Sequence, residues 1–266
     1  MSGIDSLKLE TIERAPKGEA RQTPLLFIHG MFTGAWIWDE FFLPFFAENG
    51  YRAVALSLRG HAGSEGREGV QWYSIADYVK DVEQVAAQLA TPPVVIGISM
   101  GGFIVQKYLE SHDAPAGVLL ASVPPTSAWP MAGRIILRYP LPLLTAIFTV
   151  RTYSVVKTPQ LASMLFSAEL PEEKLIKYHA KMQDESFRAF LDVLGLNLAH
   201  PKRVKTPLLV LGAEQDWALG PDTKTTARAY DGQMDIVPSA GHYMVLDTNW
   251  RGAAKRILDW LKAKGI

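Results

Sequence analysis

Short, unbroken apolar runs that empty into glycine-rich or polar loops recur along this chain and restrict its architecture. They are Leu25-Leu26-Phe27-Ile28, Ala53-Val54-Ala55-Leu56, Val94-Val95-Ile96-Gly97-Ile98, Gly117-Val118-Leu119-Leu120-Ala121 and Pro207-Leu208-Leu209-Val210-Leu211, with Asp235-Ile236-Val237 closing the series. Most are too short for helices and lack the polar alternation of a strand wetted on one face. They read as strands buried on both faces, and such strands alternating with helices build a mostly parallel α/β sheet.

The intervening segments have helical period. Ser74 with Asp77 three residues on forms a capping-box start, after which Ile75, Tyr78, Val79, Val82, Val85, Ala86 and Leu89 fall on one face. Trp250, Ala254, Ile257, Leu258 and Leu261 do the same near the end. From about residue 125 to 204 no buried-strand run occurs, only apolar helix-like pieces punctuated by Pro130, Pro140, Pro142, Pro159 and Pro171. That is far beyond the 2–6 residues of an ordinary strand–helix connection, so it reads as an inserted helical subdomain.

Composition removes several functions. Basic and acidic side chains number 27 each, so no cationic excess exists to neutralise phosphates, and nucleic-acid binding is not expected. Cysteine is absent, which eliminates disulfides, thiolate metal sites and cysteine nucleophiles together. The six histidines are scattered, and no metal site is expected. Residues 1–16 lack the apolar centre of a signal peptide, and the greasiest stretch, residues 139–150, is shorter than the roughly 20 residues of a membrane span. The expectation is a soluble, cytoplasmic protein with no membrane span.

The strongest chemical signal is Gly97-Ile98-Ser99-Met100-Gly101-Gly102, set between an apolar strand and the helix-like Phe103-Ile104-Val105-Gln106-Lys107-Tyr108-Leu109. A serine on so tight a strand-to-helix turn is lifted clear of the sheet, and the helix N-terminus offers amides to a developing negative charge. A hydroxyl near its free pKa needs a base, and the base needs an orienting acid. His242, in Ser239-Ala240-Gly241-His242-Tyr243-Met244, follows the last strand and is the expected base. Asp216, after the strand ending near Gly212, is the expected acid, with Glu214 as its rival. Asp247 reads as helix N-terminal charge. His112, His179 and His200 read as surface or subdomain residues, His29 as structural and His61 as scaffold bordering the site. The loop His29-Gly30-Met31-Phe32-Thr33-Gly34 can place a second amide, that of Met31 or alternatively Phe32, opposite the Met100 amide as an oxyanion hole.

With these residues in this order the chain resembles the α/β-hydrolase family over nearly its whole length. The resemblance is carried by His29-Gly30 with Trp36 and Trp38, the loop Arg59-Gly60-His61-Ala62-Gly63-Ser64, the Gly97–Gly102 turn, residues 212–216 and Gly241-His242. It implies an eight-stranded, mostly parallel sheet, with residues 1–124 and 205–266 as the core. Residues 125–204 would be a helical cap inserted after the sixth strand. Two positions depart from the family pattern: Ile98 stands where a polar residue is common and Ala62 where a glycine is usual.

The resemblance further implies a serine esterase that needs no cofactor, no metal and no protein partner, acting on a small-to-medium, largely apolar carboxylic ester. Phe32, Trp129, Phe148 and Phe166 are the expected substrate contacts, drawn from a large apolar inventory that also holds Met131, Ile135, Leu141, Leu144, Ile147, Met164 and Leu165. Arg134, Arg138 and Arg151 form no focused anion site. Lactone hydrolysis, lysophospholipase-like lipid ester hydrolysis, perhydrolysis and C–C bond hydrolysis use the same three residues and stay open. So does a ligand-binding role like that of plant hormone receptors resembling this family. Ser99 stands where epoxide hydrolases and haloalkane dehalogenases carry an aspartate, and Tyr243 where plant hydroxynitrile lyases carry a lysine.

Overall fold

Among the described residues seven strands form one sheet, ordered Thr11–Arg14, Ala53–Leu56, Leu25–Ile28, Val94–Ile98, Gly117–Leu120, Leu208–Ala213 and Gln233–Val237. The computed structural model describes residues 7–266; residues 1–6, where part of the leader expectation falls, lie outside the described residues. The strands are β1 (Thr11–Arg14), β2 (Leu25–Ile28), β3 (Ala53–Leu56), β4 (Val94–Ile98), β5 (Gly117–Leu120), β6 (Leu208–Ala213) and β7 (Gln233–Val237). Every neighbouring pair is parallel except β1 with β3.

Helices α1 (Trp36–Asp39) and α2 (Phe42–Glu48) follow β2, α3 (Ile75–Ala86) follows β3, and α4 (Met100–Tyr108) follows β4. Between β5 and β6 come α5 (Trp129–Arg138), α6 (Pro140–Thr149), α7 (Pro159–Ala162), α8 (Glu172–His179) and α9 (Phe187–Leu191), with no strand. Helix α10 (Thr223–Ala229) joins β6 to β7, and α11 (Trp250–Ala263) closes the chain.

The alternation of side chains along each strand divides the core in two. Leu25, Phe27, Ala53, Ala55 and Ile96 pack on one side with α2 and α11, whose Ile257 and Leu261 are fully buried. Leu26, Ile28, Val54, Leu56 and Val95 pack on the other with α3 and α4. Both faces being covered is why these strands read as continuous apolar runs. Helix α3 starts with the expected capping box: Asp77 N–H donates to Ser74 Oγ, and Ser74 N–H to the Asp77 carboxylate.

The strand count differs from the eight implied by the resemblance. Seven are present among the described residues, and the helical segment leaves the sheet after the fifth. At the antiparallel edge the described residues before β1, 7–10, make only isolated backbone bonds, Ser57 N–H to Glu10 O and Glu65 N–H to Lys8 O, rather than a ladder. Strand β1 itself had no counterpart among the apolar runs. It is a four-residue edge strand, Thr-Ile-Glu-Arg, largely open to water, so nothing requires it to be hydrophobic.

Candidate active site

The tight turn after β4 places Ser99 at φ 57°, ψ −122°, left-handed backbone that a serine holds only when its surroundings compel it. Two neighbours supply the compulsion by approaching without a side chain. A Cβ on Gly97 would lie 2.2 Å from the Gly101 carbonyl oxygen, and one on Gly101 would lie 2.4 Å from the carbonyl oxygens of His29 and Ile28. Gly97→Ala therefore meets backbone on a rigid element, and we expect it to destabilise the fold by more than about 3 kcal/mol, checked by thermal unfolding. Ser99 N–H is tied to Leu120 O at 2.9 Å, anchoring the turn to β5. The Met100 amide is the first of α4 and has no acceptor within its own helix.

Asp216 leaves β6 on a loop whose amides grip it: Ala218 N–H and Leu219 N–H donate to Oδ1 at 3.0 and 2.9 Å. Its Oδ2 faces His242 Nδ1 at 2.7 Å. Burial alone would raise the Asp216 carboxyl, but the facing imidazole, the hydrogen bond to it and the two amides together hold it below the ordinary aspartate value. Glu214, the rival acid, points away from His242 and accepts Ser239 N–H at 2.8 Å.

The loop carrying His242 is fixed by Asp247, which the sequence reading took for helix N-terminal charge. The structure corrects that reading: α11 begins at Trp250, and the Asp247 carboxylate is buried, accepting Gly241 N–H and Ser167 N–H at 2.8 Å each and Ser167 Oγ at 2.5 Å. A Cβ on Gly241 would sit 2.3 Å from the Phe166 carbonyl carbon, so the loop is pressed onto the Phe166–Ser167 backbone.

Ser99 and His242 border the same cavity without a direct hydrogen bond between them, a contact that commonly tightens only with substrate. The cavity is about 80 Å³. Met31 and Phe32 line one side, Ala218 and Leu219 another, and Met131, Ile135, Leu143, Ala146 and Phe190 descend from α5, α6 and α9. Among the described residues, no carboxylate, ammonium or guanidinium borders it. A wider depression of about 660 Å³ beside Lys17, Arg21 and Ile266 holds no serine or histidine.

Of the expected substrate contacts, Phe32 lines the cavity, at φ 67°. Trp129, Phe148 and Phe166 do not, and this corrects the expectation. Trp129 and Phe148 are 65% and 83% exposed on the outer side of α5 and α6, while Phe166 is buried against Tyr178 and Tyr243. Helical phase separates the two sets: Leu143 and Ala146 point inward, whereas Leu141, Leu144 and Phe148 share the opposite stripe.

The structure also brings in residues the sequence reading did not assign. Tyr243 is buried, lines the cavity and donates its hydroxyl to Met31 O; burial raises its pKa far above the ordinary range, so it stays a donor. Gln183 clamps the neighbouring loops: its N–H donates to Phe32 O at 2.9 Å, its Nε2 to Gly60 O at 2.9 Å, and its Oε1 accepts Ala62 N–H at 2.7 Å. Ala62, which replaces the usual glycine, sits at φ 46°, left-handed backbone held in place by that grip.

His29 is structural. Leu58 N–H donates to its Nε2 at 3.0 Å, which leaves the proton on Nδ1 to be donated to Gly30 O at 2.8 Å. Burial and the neighbouring His61 push it down to about 3, so it is neutral at working pH. His61 lies beneath the site, its Nε2 3.0 Å from Glu185 Oε2. His112 stacks on Tyr108, His179 faces Val156 O, and His200 N–H donates to Glu110.

A parallel sheet with one antiparallel edge, helices on both faces and a serine on the turn after its middle strand define an α/β-hydrolase architecture. The family profile described as "Alpha/beta hydrolase family" matches residues 25–255, and the chain belongs to that family. Among curated relatives it is 24% identical over 276 residues to epoxide hydrolase 3 of Xenopus tropicalis, covering 92% of this chain and 73% of that one. It is 34% identical over 108 residues to a non-heme chloroperoxidase of Burkholderia pyrrocinia, covering 38% of each. Among solved structures an esterase from Exiguobacterium antarcticum superposes with a TM-score of 0.76 at 18% identity, covering 97% of both chains. No single described helix is long and apolar enough to cross a membrane.

Proposed function

We propose that this protein is a serine hydrolase that cleaves small, largely apolar carboxylic esters. The observation that carries the reading is the pair Asp216 Oδ2–His242 Nδ1 at 2.7 Å, with His242 bordering one apolar cavity together with a serine on a strained strand-to-helix turn. Ser99 Oγ attacks the ester carbonyl carbon as His242 Nε2 takes its proton. The Met100 amide and that of Met31, with Phe32 as the alternative, hold the oxyanion. His242 then protonates the departing alkoxide, leaving an acyl-Ser99, and a water deprotonated by His242 returns the acid and free serine. Asp216 keeps the proton on Nδ1 and stabilises the imidazolium. Residues 125–204 act as a cap whose α5, α6 and α9 roof the acyl site.

The cavity's small volume, about 80 Å³, and its uncharged lining favour short acyl chains without ionised groups. On p-nitrophenyl esters from acetyl to dodecanoyl, kcat/KM is expected to peak at or below butyryl. Stoichiometric labelling of Ser99 by a fluorophosphonate should abolish turnover. Absence of both labelling and turnover on every ester would overturn the reading. Epoxide hydrolysis, the activity named for the Xenopus relative, is disfavoured because a serine occupies the nucleophile position.

A second reading takes support from the chloroperoxidase relative. Hydrogen peroxide in place of water at the second step would release a peracid from the same acyl-enzyme, and peracid formed from acetate and peroxide only when Ser99 is present would establish it.

A further inference from the structure

The helices that roof the cavity are apolar on their outer side as well. Twelve large hydrophobic side chains stand exposed among the described residues, and seven of them, Trp129, Ile136, Leu137, Leu141, Leu144, Ile147 and Phe148, fall on α5 and α6. Leu137, Phe148 and Leu141 are 86%, 83% and 74% exposed. On α5, Met131 and Ile135 face the cavity while Trp129, Ile136 and Leu137 face out; on α6, Leu143 and Ala146 face in while Leu141, Leu144 and Phe148 face out. A helix that is apolar on every side is ordinarily enclosed by protein or by lipid. Here the two meet at a bend of 118°, with Pro140 opening the second, a shape that lies along a surface and does not span.

Charge identifies the occupant. In a chain with no net charge, residues 114–168 contain no aspartate or glutamate but do contain Arg134, Arg138, Arg151 and Lys157. Arg134 is tied to Asp222, and Arg151, itself exposed, is 3.4 Å from Asp184. Arg138 is exposed at the end of α5 over the Tyr139 and Trp217 rings, and Lys157 is exposed beyond α6. An apolar patch with aromatic residues and a cationic rim is the complement of an anionic lipid surface. It opposes a second copy of the chain, because a two-fold contact through this face would set like charges against each other.

We infer that the outer face of α5 and α6 docks on anionic phospholipid bilayers, with Leu137, Leu141 and Phe148 entering the headgroup boundary and Arg138 and Lys157 meeting the phosphates. Docking places the roof of the cavity at the lipid surface, where apolar esters concentrate. The inference does not rest on the acyl-transfer reading, since Ser99→Ala leaves this face untouched.

Vesicle sedimentation with the full chain tests it, using phosphatidylcholine alone and phosphatidylcholine with about a third phosphatidylglycerol. The expected result is partitioning at least about tenfold stronger on the anionic vesicles, falling as salt is raised. The double variant L137S/L141S, altered only at exposed positions, should bind at least about tenfold more weakly while keeping wild-type unfolding temperature and p-nitrophenyl acetate turnover. Ser99→Ala should bind as wild type does. No partitioning, partitioning indifferent to anionic lipid, or a light-scattering dimer that L137S/L141S dissolves would each overturn the inference.

Discussion

Ser99→Ala is expected to lower kcat on the best p-nitrophenyl ester by about five to six orders of magnitude, with KM changed little. Among the described hydroxyls bordering the cavity, Ser99 Oγ is the proposed nucleophile: the Thr152 hydroxyl is held by Glu185 O at 2.9 Å and the Asp184 carboxylate at 3.3 Å, and the Tyr243 hydroxyl is committed to Met31 O. What survives is the contribution of the amides and of substrate binding. His242→Ala should fall to a similar level, and combining it with Ser99→Ala should lose little more, because the residues act as a unit. Asp216→Asn should cost about 10⁴-fold, since the amide presents either the wrong partner or the wrong tautomer to Nδ1. A Ser99→Ala enzyme retaining a tenth of wild-type turnover would remove the nucleophile assignment, whatever the vesicles do.

The second large effect is on stability and follows from Glu185, which carries the segment after α8 down onto the core. Its carboxylate is fully buried, 3.0 Å from His61 Nε2 in an ionic contact out of line for a good hydrogen bond, and it accepts Tyr78 Oη–H at 2.8 Å and Ser186 N–H at 2.6 Å. Burial would drive the His61 pKa down, but the Glu185 charge, the close contact with that carboxylate and the Arg59 carbonyl together outweigh it and hold His61 above its ordinary value. Burial would likewise raise Glu185, but His61 and the two donors hold it below the ordinary glutamate value. Removing one partner strands the other's bonds in a dry interior, so Glu185→Ala is expected to lose about 3–5 kcal/mol at pH 6, lowering Tm by about 10 °C.

The pH dependence has a definite sign. The His61 contribution is complete below its unfolded value of 6.5 and disappears as pH rises through the raised folded value. The Glu185 contribution is complete above its unfolded value of 4.5 and disappears on acidification. The pair is therefore strongest between about 4.5 and 6.5, and the stability gap between wild type and Glu185→Ala should narrow from pH 6 to pH 9. Urea unfolding at both values measures it; a gap under about 1 kcal/mol at pH 6, or one that widens toward pH 9, would contradict the assignment. Because Gln183, two residues away, holds the Phe32 carbonyl, loosening this clasp should also lower turnover.

How legible the molecule was depended on how far each feature is a local matter. The buried strands, the capping box at Ser74 and the turn around Ser99 are written in short runs, because double-sided burial demands apolar residues and a tight turn demands glycine. Edge strand β1 left no such trace, since water satisfies half of it. Pocket residues were legible only as an inventory. Met131, Ile135, Met164 and Leu165 were in it and line the cavity, but so were Trp129 and Phe148, which face solvent, because composition alone cannot distinguish the two sides of a helix that is apolar on both.

From the residues alone came the doubly covered parallel sheet, the helical segment between strands and the three side chains Ser99, Asp216 and His242 at strand ends, since each follows from burial or turn chemistry within a few positions. Only the folded chain could set Asp216 against His242 and Glu214 against Ser239, turn Asp247 from a helix-end charge into the buckle of the His242 loop, and join His61 to Glu185 across 124 positions. Those pairings are contacts between segments remote in sequence, and no local pattern records which partner the packing will bring within 3 Å.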